Sequence, residues 1–222
     1  MGNMLAKCGA IYTWHWAHEK GASCDQWSEP ESEWHRSWKR PFPADWIEVV
    51  LTDNGVRHIA DIKTDKGVVI ELQNSPIASD VVLRREAFYG ERMLWVINAY
   101  PVRENLELNP YETEWPEMRL GDRIIDYHTK KVIYDEENLK NMFSFRWKRM
   151  REAWSSADRP IFLDFGTDEI YRMKIRRFNN GVLRKYDRDK FILKYGGLPN
   201  LMSPPITTQG PKHVDYLPPL WH

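Results

Sequence analysis

Val56-Arg57-His58-Ile59-Ala60-Asp61-Ile62, the turn Asp65-Lys66-Gly67 and the run Val68-Val69-Ile70-Glu71-Leu72-Gln73 make up the stretch that decides the fold. Both runs are rich in β-branched and aliphatic residues, and the Asp and Gly between them suit a tight reversal. Side chains alternate along a strand, so Ile70 and Leu72 point one way while Glu71 and Gln73 point the other. Folding the two runs together brings Asp61 toward Glu71. Upstream, Ile47–Leu51 is apolar with one charge, and Asn54-Gly55 signals a turn into Val56. These runs predict an antiparallel meander over 47–51, 56–62 and 68–73.

Helical signals flank the meander. Ser28-Glu29-Pro30-Glu31 predicts a helix start, with Ser28 as cap, Pro30 in the first turn and Glu31 closing a capping box. Trp34 and Trp38 share one face of that helix. Arg36, Lys39 and Arg40 sit near its C-terminus, where positive charge is favoured, and Pro41 and Pro43 stop it. After the meander, Ser79 is placed to cap a second helix to about Tyr89, closed by Gly90. Met93–Asn98 then reads as a buried strand. Helix, three strands, helix, strand is a mixed α/β order.

Beyond this unit, residues 101–122 are rich in Pro and Glu and read as a long connection. Asp135 is placed to cap a long amphipathic helix with Leu139, Phe143, Trp147, Met150 and Trp154 on one stripe. Residues 160–194 read as a strand followed by a hairpin, and the chain after Gly197 as a Pro-rich tail.

The 222 residues fit one domain, or a core with a small appendage. Lys plus Arg total 32 and Asp plus Glu total 32, so net charge argues neither for nor against nucleic acid. Basic residues gather late, at Arg146, Lys148, Arg149, Arg151, Arg172, Lys174, Arg176, Arg177, Arg184, Lys185, Arg188 and Lys190, where a basic face can form. Most of the 11 Trp are expected in the core. Two Cys make no disulfide framework. No apolar run has the length of a membrane span, no secretory pattern opens the chain, and Ala6 stands where myristoylation needs Ser or Thr. A cytoplasmic protein with no membrane partner is the expectation.

Two neighbouring carboxylates repel unless one is neutralised, and a divalent cation removes that cost. Oxygen ligands suit Mg²⁺ or Mn²⁺, which polarise phosphoryl oxygens and activate water. Gln73, two residues after Glu71, offers an acceptor and a donor to orient water or hold a phosphate, but no positive charge. Arg84, Lys63 or a second metal would have to supply it. On spacing alone, such paired acids also occur as a solvated strand face.

Several motifs in order add a resemblance. Trp16-Ala17-His18, Cys24-Asp25-Gln26-Trp27, the run Glu29 to Lys39, His58-Ile59-Ala60-Asp61, Ile70-Glu71-Leu72-Gln73-Asn74-Ser75, Arg84-Arg85-Glu86-Ala87-Phe88-Tyr89 and Trp95-Val96-Ile97 resemble the CoiA-like competence protein family. That family is similar to PD-(D/E)XK nucleases, and the likeness covers roughly residues 8–98. It implies an α/β, restriction-endonuclease-like mixed central sheet flanked by helices, with an N-terminal Cys/His element and a C-terminal helix plus hairpin extension. The implied divisions are 1–27, a nuclease core at 28–100, an extension at 101–198 and a tail at 199–222. Carried over, Asp61 and Glu71 are metal carboxylates, Gln73 replaces the motif Lys, and Glu33 is a helix acid reaching the metal. Arg84 and Tyr89 match second-helix positions that face phosphate or support the site, and His35, His58 and Lys63 stand beside them as candidate substrate-facing residues. The function implied is metal-dependent hydrolysis of DNA, single-stranded or branched. The alternative is an inactive DNA-binding or protein-interaction module on the same fold.

Cys8, His15, His18 and Cys24 make up a four-ligand set of the type zinc takes. The relatives' Cys-x-x-Cys is absent, so a complete Zn²⁺ site needs both histidines or a water. The alternative is two free thiols and a packed His18.

Overall fold

The structure, a computed structural model, describes residues 4–7, 15–18, 31–110, 119–120, 123–125, 132–135, 140–149, 152–177 and 179–201. Met4–Lys7 (β1) pairs antiparallel with His15–His18 (β2). Cys8, Cys24 and the side chains of His15 and His18 lie outside the described residues, and with them the zinc set.

The first helix, α1, runs Glu33–Lys39 and is capped by Ser32. The expected cap, Ser28, lies outside the described residues, and the Ser32 cap puts the start of this helix later than the Ser-Glu-Pro-Glu signal suggests. Ser32 Oγ accepts from the His35 N–H at 3.3 Å, and His35 Nδ1 accepts from the Ser32 N–H at 3.2 Å. A histidine thus closes a capping box that an acid usually closes.

The meander forms as Ile47–Asp53 (β3), Val56–Lys63 (β4) and Val69–Gln73 (β5), antiparallel throughout. The second helix, α2, is Ser79–Tyr89; its cap residue is Ala78, so Ser79 is the first helical residue and makes no cap bond. Gly90, at φ +76°, ends it in a conformation that side chains disfavour. Met93–Asn98 (β6) then pairs parallel with β5.

Beyond β6 the structure departs from two expectations. The long connection holds a strand, Leu106–Pro110 (β7), within its first ten residues. Arg119–Leu120 (β8), Arg123–Ile125 (β9) and Val132–Asp135 (β10) form a separate three-stranded sheet. The long helix expected from Asp135 is instead the strand Met142–Trp147 (β11), followed by one helical turn at Glu152–Ser155 (α3). Phe143 and Trp147 stand four apart, as on a helix, but Phe145 between them joins the same core cluster. That is period two, and the aromatic side chains suit a strand bonded on both edges.

Ile161–Asp164 (β12) and the hairpin of Glu169–Arg177 (β13) with Asn180–Asp187 (β14) appear where a strand and hairpin were expected. A helix, Arg188–Lys194 (α4), follows unannounced, with Asp187 accepting from the Lys190 N–H at 2.8 Å.

Nine strands form one mixed sheet in the order β3-β4-β5-β6-β12-β13-β14-β11-β7. Its central strands β5, β6 and β12 are parallel and buried on both faces. One face packs Val69, Trp95, Ile97 and Leu163 with Val82 of α2 and Trp154 of α3. The other packs Ile62, Ile70, Leu72, Val96 and Phe162 with Trp38 of α1 and Phe191 and Ile192 of α4. The sheet crosses residue 100 without a break, because β7 and β11 to β14 belong to it. Among the described residues no helix is long and apolar enough to cross a membrane.

Candidate functional site

The β4–β5 ladder is short. It pairs Ile62 with Ile70 and Lys63 with Val69, then stops. His58 packs edge-on to Phe88 of α2, with ring centroids 4.6 Å apart, and Ala60 joins the core cluster on that face. Ile62 joins the cluster on the opposite face. The strand therefore rotates at Asp61 and parts from β5. The β3–β4 ladder skips the same place, passing from Ile47↔Ile62 to Val49↔Ala60, and Glu48 opposite the gap has φ +52°. A non-glycine residue held there is strained and persists only where its surroundings fix it.

Side chains take over the bonds the ladder gives up. Asp61 Oδ2 accepts from the Leu72 N–H at 2.9 Å, and Glu71 Oε1 accepts from the Asp61 N–H at 3.4 Å. His35 Nε2 lies 3.2 Å from the Leu72 carbonyl. Because its Nδ1 accepts from the Ser32 N–H, the proton sits on Nε2, which donates to Leu72. Tyr89 Oη donates to the Ile59 carbonyl at 3.1 Å. Asp61, Glu71, His35, His58 and Tyr89, all singled out from the sequence, are thus gathered where β4 leaves β5.

Two cations that sequence reasoning left out of the site complete it. Arg85 Nη1 is 3.1 Å from Glu71 Oε2, and both side chains are buried. Lys39 Nζ, also buried, lies 3.0 Å from Glu48 Oε1, 3.2 Å from Glu31 Oε1 and 3.4 Å from Asp61 Oδ1. Arg85 carries a legible signal: with Val82, Glu86 and Tyr89 it forms the i, i+3, i+4, i+7 stripe of α2. Lys39 follows His35 by four residues and shares its face.

Electrostatics separate the two acids. Burial pushes the Glu71 carboxyl up to about 8, and the charge of Asp61 adds to this; Arg85, the Asp61 N–H and the Tyr89 hydroxyl pull in the other direction. The Asp61 side chain is partly open, at 23% exposed. Burial depresses the Lys39 ammonium, but Asp61, Glu48 and Glu31 outweigh it and raise its pKa.

Other expected positions fall elsewhere. Glu33 is turned outward, its carboxylate bonded to Arg36 Nε and Arg40 Nη2, each at 2.8 Å, and the Arg36 bond lowers its pKa. Arg84 is exposed and pairs with Asp80 along α2 at 3.1 Å. Gln73 is buried beside Glu71, its amide donating to the Ser75 carbonyl at 3.1 Å. Lys63 is half-buried, two residues past Asp61.

No family model, curated protein or solved structure matches the chain.

The donor set is two carboxylates and no softer ligand, which fits a hard dication that keeps water and substrate oxygens in its other positions. Among the described residues no three metal-ligating side chains converge.

Elsewhere, two further buried carboxylates tie the layers together. Asp164 Oδ2 accepts from the Trp34 and Trp38 indoles at 2.8 and 2.7 Å, and its Oδ1 from the Gly166 N–H at 2.8 Å. Glu86 accepts from the Trp95 indole at 2.9 Å and from the Asp158 and Arg159 N–H groups at 2.8 and 3.2 Å. Their donors account for both.

Proposed function

We propose that the chain is a metal-dependent nuclease of the PD-(D/E)XK type, restriction-endonuclease-like in its core and related to the CoiA-like proteins its motifs resemble. The observation that carries this reading is the parting of β4 from β5 at the point where Asp61 and Glu71 meet. Where the strand pair opens, the two acids stand side by side, Glu71 accepting from the Asp61 N–H and Asp61 from the Leu72 N–H, so one ligand between them is the simplest use of both carboxylates.

Asp61 and Glu71 would hold Mg²⁺ or Mn²⁺; when bound, the ion supplies polarisation of a phosphoryl oxygen and a water of lowered pKa. Glu71 must release its proton to take part, and Arg85 holds the carboxylate in place as it does so. Lys39 brings to Asp61 the positive charge that Gln73 lacks, and is the chain's own group for a developing phosphorane charge. Gln73 orders the turn at Ser75, which follows the site. A nucleic-acid phosphodiester is the substrate class this chemistry serves, and the resemblance points to DNA.

The second reading, an inactive binding module, is favoured by one observation: both carboxylates already have a basic partner, Arg85 on Glu71 and Lys39 on Asp61. One assay separates the two. Labelled single-stranded, duplex and branched DNA are incubated with Mg²⁺ or Mn²⁺, beside Glu71→Ala and Lys39→Met. The nuclease reading expects metal-dependent cutting that Glu71→Ala abolishes and Lys39→Met slows by about 100-fold, the size of one lost electrostatic stabiliser. DNA binding with no metal-dependent cutting would establish the module instead.

A further inference from the structure

On the face of the sheet that carries α4, cations and aromatic rings alternate. Arg172 of β13 stands directly opposite Arg184 of β14 and beside Phe162 of β12. The Arg172 guanidinium lies 6.0 Å from the Phe162 ring centroid, and that of Arg184 lies 5.1 Å from the Tyr186 ring. Lys174 is close enough for both arginines to depress its pKa, after burial has done so. Lys194, at the end of α4, sits 5.6 Å from the Tyr195 ring, and Tyr195 itself feels the charge of Arg172.

Like charges directly across a strand pair destabilise it. Here the pair is retained with a third cation added. Among the described residues neither Arg172 nor Lys174 is paired with a carboxylate. Of the two acids of this hairpin, Asp187 caps α4, and Glu169 bonds Lys185 at 2.7 Å and the Tyr171 hydroxyl at 2.8 Å, Tyr171 belonging to the core cluster on the opposite face. Arg172 lies against the Phe162 ring and Arg184 against the Tyr186 ring, contacts that hold their planar guanidinium groups in place. Repeated positive charge tracks a phosphate chain, and rings between the charges give unstacked bases a surface. Duplex bases present no free faces for that contact.

We propose that the surface of β13 and β14 formed by Arg172, Lys174 and Arg184, with Tyr186 and Tyr195 beside them, binds the phosphodiester backbone of a single-stranded nucleic acid. The assignment deepens the nuclease reading and rests on it for the identity of the ligand.

Binding of a labelled single-stranded DNA to the full chain is measured in EDTA by fluorescence anisotropy over a range of salt. Each phosphate contact contributes about 0.7 to the slope of log K against log salt for a single strand. Lys174→Gln, an exposed and structurally mild change, should lower the slope by about 0.7. Arg172→Gln, Lys174→Gln and Arg184→Gln together should lower it by about 2. Lys66→Gln, in the β4–β5 turn, should leave it unchanged. A slope that stays constant in both Lys174→Gln and the triple variant overturns the proposal. So does duplex DNA, or a polyglutamate peptide of matched charge, binding as tightly as the single strand. Because EDTA removes cleavage, the two readings fail separately. Binding that depends on the cluster in a chain that never cuts refutes only the nuclease. Cutting that persists with a cluster-independent slope refutes only this surface.

Discussion

Replacing Glu71 by Gln should stabilise the metal-free protein at neutral and alkaline pH. Glu71 is buried, and burial together with the Asp61 charge raises its carboxyl from the ordinary 4.5 to about 8. Between those values the folded chain holds a proton on this group that the unfolded chain has released. Stability therefore falls as pH rises through the window, and the loss is complete above about 8. From about pH 6 to about pH 8 the loss attributable to Glu71 is about 2 kcal/mol, at about 1.4 kcal/mol per unit with flattening near the top. The amide keeps one oxygen, which can accept from Arg85 or from the Asp61 N–H but not from both where they now stand, so one contact is given up as the titration is removed. Denaturant unfolding in EDTA at several pH values, wild type beside Glu71→Gln, isolates the Glu71 contribution, because other titrating groups cancel in the difference. At the upper pH, Mg²⁺ or Mn²⁺ at tenfold over its dissociation constant should restore about 1.4 kcal/mol to the wild type and nothing to the variant. Parallel pH profiles for the two proteins in EDTA would show that Glu71 holds no extra proton and would sink the electrostatic account.

Three further outcomes test the packing around the site. Arg85→Met should cost about 2–4 kcal/mol by stranding a buried partner, while Arg84→Ala, on the exposed side of α2, should stay within about 0.5 kcal/mol; equal unfolding midpoints would contradict the helix phase. Asp164→Ala leaves the Trp34 and Trp38 indoles and the Gly166 N–H without their acceptor and should cost at least about 3 kcal/mol, whereas Asp164→Asn should recover part of it, read by tryptophan fluorescence during unfolding. Gly197→Ala would place a Cβ 2.7 Å from Ile192 Cγ2 and 3.0 Å from Phe42 Cε1, so calorimetry should show a loss of about 1–3 kcal/mol, and an unchanged midpoint would mean this corner is loosely packed.

The meander, α2 and β6 were legible because each rests on a local rule. Period-two alternation with Asn54-Gly55 and Asp65-Lys66-Gly67 fixes β3 to β5, and Gly90 marks the end of α2. Asp61 and Glu71 were legible for the same reason, since a tight turn leaves little freedom in which residues meet. The errors share a different cause. β11 was misread because Phe143 and Trp147 satisfy a helical spacing as well as a strand one, and only pairing with β14 and β7 decides between them. β7 lay hidden in a stretch with prolines, where an outer strand tolerates Pro110. The α1 start was displaced because His35, not an acid, closes the box. Of the missed cations, Arg85 sits on a readable stripe, but its neighbour Arg84 drew the functional reading. Glu48 had no signal, since its positive φ arises from a gap in the β3–β4 ladder that forms only in the sheet.

On the nuclease reading, the placement of charge accounts for a glutamine rather than a lysine at position 73. Gln73 shares its face with Glu71, on the side from which Arg85 of α2 approaches. A lysine there would bring a second buried cation beside Arg85, with one carboxylate between them, and desolvation would penalise it. The opening between β4 and β5 provides a different route. Asp61 lies where β4 turns from one core to the other, so its carboxylate is reachable from the α1 layer. Lys39 enters from that side, where Glu31 and Glu48 already sustain its charge. One cation thus reaches each acid from each layer, Arg85 to Glu71 and Lys39 to Asp61. The arrangement depends on the parted strands: a continuous β4–β5 ladder would close the gap through which Lys39 meets Asp61.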